Sequence, residues 1–175
     1  MSDMKKNTSA SIGLVNPKSP TNVGAVMRAA GCYGVQSVFY SGERFERARK
    51  FATDTKNISE TIPLIGVDDF THLLGQDIKV VGVELIEGAT ALTRYTHPDN
   101  AFYIFGPEDG SLGKDILKLC DDVVYIPTKG CMNLAATVNV VLYDRLAKSP
   151  TIIEGDELIR QSRDNNNRIS LHDIK

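Results

Sequence analysis

The sequence has no tryptophan, few cysteines and no long apolar run. Its three cysteines, Cys32, Cys120 and Cys131, form no CxxC pair, which argues against a disulfide framework and against a zinc ribbon. No stretch approaches the roughly 20 apolar residues that a membrane-spanning helix needs. The polar start of the chain lacks the apolar core of a signal peptide. We therefore expect a cytoplasmic protein without a membrane segment, in which residues 1–10 form a flexible N-terminus.

Signatures of the common nucleotide-binding and catalytic α/β proteins are also missing. No two glycines are separated by a single residue, so the GxGxxG turn is absent, as are GxxxxGK[ST] and GxSxG. His72, His97 and His172 show no metal-ligand spacing, and we expect no bound metal. Twenty basic residues against twenty-two acidic ones give a net charge of −2. A nucleic-acid partner would therefore have to be held by a local basic patch.

Short apolar segments alternate with amphipathic segments along most of the chain. This pattern predicts strands at 11–15, 36–40, 62–66, 78–85, 101–105 and 123–126, and helices at 23–33, 43–51, 68–74, 111–119 and 133–146. Strands that alternate with helices predict an open, mainly parallel α/β sheet. Past Ser149 the pattern weakens. We expect one domain over residues 11–150 and a mobile, polar tail over 151–175.

Three loops that follow predicted strands carry the polar residues of interest, because open α/β sheets bind ligands at the carboxyl ends of their strands. In the first loop, Asn22 is a candidate N-cap for the helix at 23–33. Gly24, Arg28 and Gly31 lie on one side of that helix, where an anionic group has room to approach the backbone. The alternative is an exposed arginine beside close helix packing.

The second loop runs from Phe105 to Gly113, and its glycines permit backbone conformations that present amides to a ligand. Glu108 in this loop is either a site residue or a carboxylate that caps the following helix. The third loop runs from Ile126 to Asn133. Asn133 is likewise either a site residue or only an N-cap.

Together and in this order, the three loops resemble the SpoU (TrmH) family of RNA 2′-O-ribose methyltransferases, within the SPOUT class. The family element N…NxGxxxRx(A/C)xxxG matches residues 16–34. The element FGxExxGL matches residues 105–112, except that Ser111 separates Gly110 from Leu112. The element IP…S(L/M)NLxxAxxVxLYE matches residues 126–144. These motifs cover nearly the whole chain.

The resemblance implies a mostly parallel α/β sheet, flanked by helices, with a C-terminal deep trefoil knot. It implies S-adenosylmethionine as cofactor, RNA as partner, and a homodimer in which two subunits complete the active site. It also implies the reaction, in which a ribose 2′-hydroxyl attacks the methyl carbon of the sulfonium. Small members of the family often modify tRNA, which favours tRNA over rRNA by analogy.

The matched positions imply roles for individual residues. The residues expected to bind the cofactor lie at the strand ends and in the knot loops: Glu84, Leu85, Gly106, Ile126, Cys131, Met132 and Leu134. The polar catalytic positions are Arg28, Asn22, Glu108 and Asn133. Since an arginine guanidinium is a poor base, we expect Arg28 to clamp the 3′-phosphate and to stabilise charge on the 2′-oxygen.

A basic cluster next to the first loop is the candidate landing surface for RNA. With Arg28, the expected RNA-binding residues are Arg44, Arg47, Arg49 and Lys50. Phosphate contacts from such a cluster give affinity without sequence information. The alternative is a solvated helix in which Glu43 and Glu46 alternate with the arginines.

Two departures from the family pattern support a competing hypothesis. Cys131 replaces the usual serine, and the loop from Pro127 to Asn133 is shorter than is usual. The competing hypothesis is a catalytically weak or inactive scaffold that binds RNA or the cofactor. A further alternative is a nucleotide-binding α/β enzyme that matches the motifs by coincidence.

Overall fold

A computed structural model describes residues 8–49, 62–171 and 174 of the chain. Seven strands form one sheet in the order β3-β2-β1-β6-β4-β7-β5, and every neighbouring pair is parallel. The strands are β1 (Ser9–Val15), β2 (Val38–Ser41), β3 (Leu64–Val67), β4 (Lys79–Val83), β5 (Thr90–Ala91), β6 (Asn100–Phe105) and β7 (Asp122–Tyr125). The predicted parallel α/β sheet is confirmed.

Five α-helices accompany the sheet in the described part of the chain. They are α1 (Pro20–Cys32), α2 (Arg44–Arg49), α3 (Lys114–Leu119), α4 (Leu134–Ala147) and α5 (Asp156–Ser162). Single 3₁₀ turns occur at Thr71–Leu73 and Leu92–Arg94. Val23, Met27 and Ala30 are buried and belong to the core face of α1.

The central strands are covered on both faces. Ala101 to Phe105 are all buried along β6, and four of the five residues of β4 are buried. Consecutive strand residues point to opposite faces, so uninterrupted burial means that elements pack on each side of the sheet. One core contains residues of α1 and α4, and a smaller one contains Phe70, Phe102 and Leu112.

Two predicted element starts are wrong. β1 begins at Ser9, because Ser9 and Ala10 pair with the start of β6, so these two residues are not part of a flexible N-terminus. Helix α1 begins at Pro20 and its N-cap is Ser19, whose hydroxyl accepts from the N–H of Asn22. Asn22 is therefore inside the helix and does not cap it. Proline is well suited to the first position of a helix, which lacks a partner for its N–H in any case.

Other predicted elements are shorter than expected. The helix at 68–74 is reduced to one 3₁₀ turn, whose Thr71 N–H donates to the Asp69 side chain. Helix α3 starts at Lys114 because the backbone of Gly113 is extended (ψ 158°), and the N–H of Leu112 donates to Glu84. Two elements were not predicted: β5, and the helix α5 within the expected polar tail. Residues 1–7, Lys50 and the end of the predicted helix at 43–51 lie outside the described residues.

Side chains at the amino edge of the sheet hold the C-terminal half of α4. Arg145 donates to the carbonyl oxygens of Pro98 (2.6 Å), Asp99 (2.7 Å) and Ser9 (3.2 Å). The His97 ring bridges the Tyr103 hydroxyl and the Asp144 carboxylate. Burial lowers the pKa of His97, which favours the neutral ring for this bridge. With its last turns fixed, α4 presents its first turn at the carboxyl edge.

The turn after β2 supports the first loop, which predicts the effect of a substitution there. Gly42 has φ +80°, and a Cβ at this position would overlap the side chain of Asn16. Gly34 has φ +66° with open space around it. A positive φ costs a residue with a Cβ about 1–2 kcal/mol. Gly42→Ala should therefore lower the melting temperature more than Gly34→Ala, which carries the backbone cost alone.

Thermal unfolding of both variants and the wild-type protein measures this difference. For a chain of this size, each 1 kcal/mol lowers the midpoint by roughly 2–4 °C. Equal melting temperatures for the two variants would show that Asn16 moves aside freely and that the turn does not support the loop.

Candidate functional site

A cavity of about 250 Å³ opens at the carboxyl edge of the sheet, where the chain leaves β4, β6 and β7. The residues expected from the family resemblance to bind a cofactor all line it. They are Glu84, Leu85, Gly106, Ile126, Cys131, Met132 and Leu134. Glu108 and Asn133, two of the expected catalytic residues, line it as well. The structure thus brings two of the three loops together around one space.

Several lining residues were missed by the sequence analysis. They are Val83, Phe105, Pro107, Gly110, Tyr125, Thr128 and Thr137. Val83, Phe105 and Tyr125 are the last residues of β4, β6 and β7. These three residues could have been predicted from their positions in the strands. The final residue of each parallel strand borders the space that the loops enclose.

Glu108 connects the second loop to the first. Its Oε2 accepts from the N–H of Lys18 (2.8 Å), and its Oε1 accepts from the N–H of Ser19 (3.0 Å) and the Asn22 amide (3.1 Å). Of the two alternatives for Glu108, the cap of the following helix is excluded, because Gly113 precedes α3 without a side-chain cap. The carboxylate instead accepts from the N–H groups of Lys18 and Ser19, which stand just before α1. These N–H groups have no partner within the helix.

These donors also determine the charge of Glu108. Partial burial raises the pKa of its carboxyl, but the N–H groups of Lys18 and Ser19 and the Asn22 amide outweigh burial and lower it below its ordinary value. Glu108 is therefore an anion at neutral pH. It lies where the positive end of the helix dipole of α1 favours negative charge.

Asn22 extends the connection to the third loop. While its amide nitrogen donates to Glu108, its Oδ1 accepts from the Asn133 amide at 3.1 Å. Asn133 is also the N-cap of α4, since its Oδ1 accepts from the N–H of Ala135 at 2.9 Å and of Ala136 at 3.4 Å. The predicted cap at Asn133 is confirmed. Glu108, Asn22 and Asn133 thus form one hydrogen-bonded chain, which we call the polar chain.

Arg28 lies apart from the cavity. Its side chain is exposed on α1, on the side that carries Gly31, and it does not line the cavity. It makes no hydrogen bond or ion pair with any residue in the described ranges. Within one chain, the structure places Asn22, Glu108 and Asn133 together and Arg28 outside their group.

The arginines of the expected RNA-binding cluster are each paired with a carboxylate. Arg44 donates to Asp109 at 2.9 Å, and Arg49 lies 3.1 Å from Glu46. Arg47 pairs with Glu43 across one helical turn. Lys50 lies outside the described residues. Exposed pairs of this kind contribute little to stability, so their partners can be exchanged for other anions.

The cysteines differ in their surroundings. Cys120 is half-buried, and burial raises the pKa of its thiol to about 11. Cys32, at the end of α1, is exposed. Cys131 is exposed where it lines the cavity.

Neither a metal site nor a membrane helix is found in the described ranges. No group of three or more His, Cys, Asp or Glu side chains there is arranged to hold a metal ion. None of the helices described is long and apolar enough to cross a membrane.

Sequence comparison connects this arrangement to known proteins. Residues 9–143 match the SpoU rRNA Methylase family. The 23S rRNA (guanosine-2′-O-)-methyltransferase RlmB of Acinetobacter baylyi is 29% identical over 137 residues, which are 71% of this chain and 54% of RlmB. An uncharacterized tRNA/rRNA methyltransferase of Mycobacterium bovis is 27% identical over 75% of this chain and 43% of its own length. The chain thus spans about half the length of these curated relatives.

Solved structures share the fold at low sequence identity. AviRb of Streptomyces viridochromogenes, a SpoU methyltransferase solved with AdoMet, has a TM-score of 0.65 and 19% identity over 83% of this chain and 61% of its own. A protein solved for insight into the 2-OH methylation of C/U34 on tRNA has a TM-score of 0.65 and 21% identity over 81% of this chain and 97% of its own. The family match covers all seven strands and the three loops that carry the polar residues. The chain belongs to the SpoU rRNA methylase family.

Proposed function

We propose that the protein transfers a methyl group from S-adenosylmethionine to a ribose 2′-hydroxyl of RNA. The observation that carries this proposal is the meeting of the second and third loops around one cavity, beside the polar chain. The family membership and the 2′-O activity in the name of RlmB support it. Cys32, Cys120 and Cys131 are free thiols, which suits a cytoplasmic enzyme.

The lining of the cavity suits the cofactor. A Cβ at Gly106 would lie 3.4 Å from the N–H nitrogen of Leu112 and 3.5 Å from Glu84 Oε2, so glycine leaves the backbone open there. Ile126, Met132 and Leu134 supply apolar contacts, and Glu84 and Leu85 form the floor. When bound, S-adenosylmethionine supplies an activated methyl group with a good leaving group. The protein's own task is therefore mainly alignment.

In this proposal the polar chain holds the side chains that face the RNA in fixed orientations. Glu108 is occupied by donors from the first loop, and Asn133 is occupied by Asn22 and by the first turn of α4. Groups held by several hydrogen bonds change little on binding, which lowers the cost of organising a reacting complex. The side-chain amides of Asn22 and Asn133 would each use their remaining N–H to bind the RNA.

Arg28 would act on the RNA and not on the cofactor. We propose that its guanidinium clamps the 3′-phosphate and stabilises charge on the 2′-oxygen, while the proton leaves to phosphate or water. Because Arg28 lies outside the cavity of its own chain, the proposal includes a homodimer in which a second subunit completes the site. The exposed Val140 and Tyr143 on α4 offer an apolar face for that contact.

The path of the chain supports the proposed knot. Between β4 and β6 the chain travels to the sheet edge at β5, beyond β7, and then returns past β4. It therefore forms a wide loop around the position at which β7 ends. We propose that the chain after β7 passes through this loop before it forms α4, giving a deep trefoil knot.

Within RNA, we propose tRNA as the substrate. The structure concerned with C/U34 methylation on tRNA is matched over 97% of its length. By contrast, the rRNA methyltransferase of Sinorhizobium meliloti is matched over 56%. Because RlmB is named as a 23S rRNA methyltransferase, rRNA is the alternative substrate that should be tested beside tRNA.

Methyl transfer to separated tRNA and rRNA tests this function. The wild-type protein should transfer label from S-adenosylmethionine to tRNA, and the labelled nucleotides should resist alkaline hydrolysis because the 2′-oxygen is blocked. Arg28→Ala should lose turnover by about 100-fold or more, as expected for a group that stabilises developing charge. Its affinity for S-adenosylmethionine, measured by calorimetry, should stay within about twofold, since Arg28 does not line the cavity.

Lys118→Ala is the matched control, because it removes one exposed positive charge on α3, away from the cavity. It should retain turnover. Cofactor binding without any transfer by the wild-type protein would favour the scaffold hypothesis. Normal turnover by Arg28→Ala would contradict the role given to this residue.

Glu108 should contribute to stability in a pH-dependent way. Its pKa is lower in the folded protein than in the unfolded chain, so the stabilisation is present above the ordinary carboxyl pKa and is lost as the pH falls through the lower folded value. Glu108→Gln should therefore melt below the wild-type protein at pH 7, and the two melting temperatures should converge towards pH 3. Glu87→Gln, at an exposed position, should show no such convergence. A difference that does not depend on pH would contradict the proposed charge of Glu108.

The arginines of α2 should contribute to RNA affinity by binding phosphates. Arg47→Ala with Arg49→Ala should reduce the slope of log affinity against log salt by roughly 0.7–0.9 for each phosphate that the two side chains neutralise. Binding of labelled tRNA between low and moderate salt measures the slope. If the slope stays at the wild-type value, α2 is only a solvated helix.

A further inference from the structure

Glu84 is held rigidly at the floor of the cavity. It follows β4 in the middle of the sheet, and its N–H donates to the Val124 carbonyl at 3.0 Å. Its Oε1 accepts from the N–H of Leu85 at 2.9 Å, and its Oε2 accepts from the N–H of Leu112 at 2.7 Å. The carboxylate is therefore fixed by two backbone donors, one of them in the second loop.

These two bonds leave the carboxylate with unused acceptor capacity. A carboxylate offers about four acceptor positions, of which two are occupied here. In the described ranges no lysine, arginine or histidine forms an ion pair with Glu84. Glu84 Oε2 also lies 3.5 Å from the Cβ position of Gly106, where the cavity wall has no side chain.

Glu108, the other carboxylate of the lining, is more fully engaged. Glu108 accepts three hydrogen bonds from the first loop. The hydroxyls of Thr128 and Thr137 donate to the carbonyls of Gly130 and Asn133. Glu84 is thus the lining carboxylate with the most remaining acceptor capacity, and it stands at the junction of β4 and the second loop.

We infer that Glu84 binds the vicinal hydroxyls of the ribose in the cofactor's adenosyl group and makes the cavity selective for a ribonucleoside. A diol offers two O–H donors side by side, which matches a carboxylate with two free acceptor positions. A site built to bind hydroxyls rejects an analogue without them, because its buried acceptors then lack partners. This inference rests on the proposed function.

Binding of S-adenosylhomocysteine and of its 2′,3′-dideoxy analogue, measured by calorimetry, tests the inference. The wild-type protein should bind the dideoxy analogue at least about tenfold more weakly, as expected for hydrogen bonds to a charged group. Glu84→Ala should bind S-adenosylhomocysteine at least about tenfold more weakly, with little further loss for the analogue. Glu87→Ala, in the same loop and outside the cavity lining, should behave as the wild-type protein.

A second ligand distinguishes the ribose from the amino-acid end. 5′-Methylthioadenosine retains the diol and lacks the ammonium group, so Glu84→Ala should weaken its binding by the same factor. If that loss disappears, Glu84 binds the ammonium group and the inference is wrong. If Glu84→Ala still discriminates against the dideoxy analogue as the wild-type protein does, the inference is also wrong.

Glu84→Gln distinguishes a loss of ribose binding from a loss of folding. It keeps an oxygen for the Leu112 N–H, so it should fold even if Glu84→Ala does not, and it should also lose discrimination. Failure of the wild-type protein to bind S-adenosylhomocysteine at all would overturn the proposed function itself. By contrast, wild-type binding without discrimination between the two ligands would overturn only the role of Glu84.

Discussion

The carboxylate of Glu108 joins parts of the chain that are far apart in sequence. It accepts N–H groups from Lys18 and Ser19 and the amide of Asn22, about 90 residues before it. Asn22 in turn accepts from Asn133, 111 residues after it. Because each of these groups has its partner in another loop, none of the three loops has its observed conformation independently of the other two. The second and third loops line the cavity, and the first loop is hydrogen-bonded to both of them.

Stability and function are combined in the same residues of this site. Asn133 is the N-cap of α4 and is also a member of the polar chain. Ser19 caps α1, while its N–H binds Glu108. A helix cap contributes about 1 kcal/mol. Substitutions here will therefore change folding and the site together, and a loss of binding has to be compared with the melting temperature of the same variant.

Sequence reasoning found what depends on local rules or on the motif match. Alternating strands and helices gave the parallel sheet, and the position of Asn133 before an amphipathic run gave its cap. The seven residues expected at the cofactor site lie around one cavity because the motifs lie at the ends of neighbouring strands. Their contacts with a cofactor stay a prediction.

What sequence reasoning missed depends on contacts between distant residues. Ser19 and Asn22 are both good caps, and the proline between them was the local signal in favour of Ser19. The partner of Asn22 lies 86 residues away, and no local pattern indicates it. β5 consists of two residues that form a strand only because β7 lies beside them. The charge cluster of α2 was visible, but the pairing of Arg44 with Asp109 follows from the fold alone.

The strand order has a consequence for how the protein is made. β1 leaves the ribosome before the other strands of the sheet, yet one of its two neighbours is β6, which is synthesised about 90 residues later. The hydrogen bond from Arg145 to the Ser9 carbonyl oxygen, at the amino edge of the sheet, joins residues that are 136 positions apart. At an ordinary rate of about 5–20 residues per second, the apolar strand β1 waits for several seconds without this neighbour. The nascent chain therefore needs protection while residues 16–100 are synthesised, before the second and third loops exist.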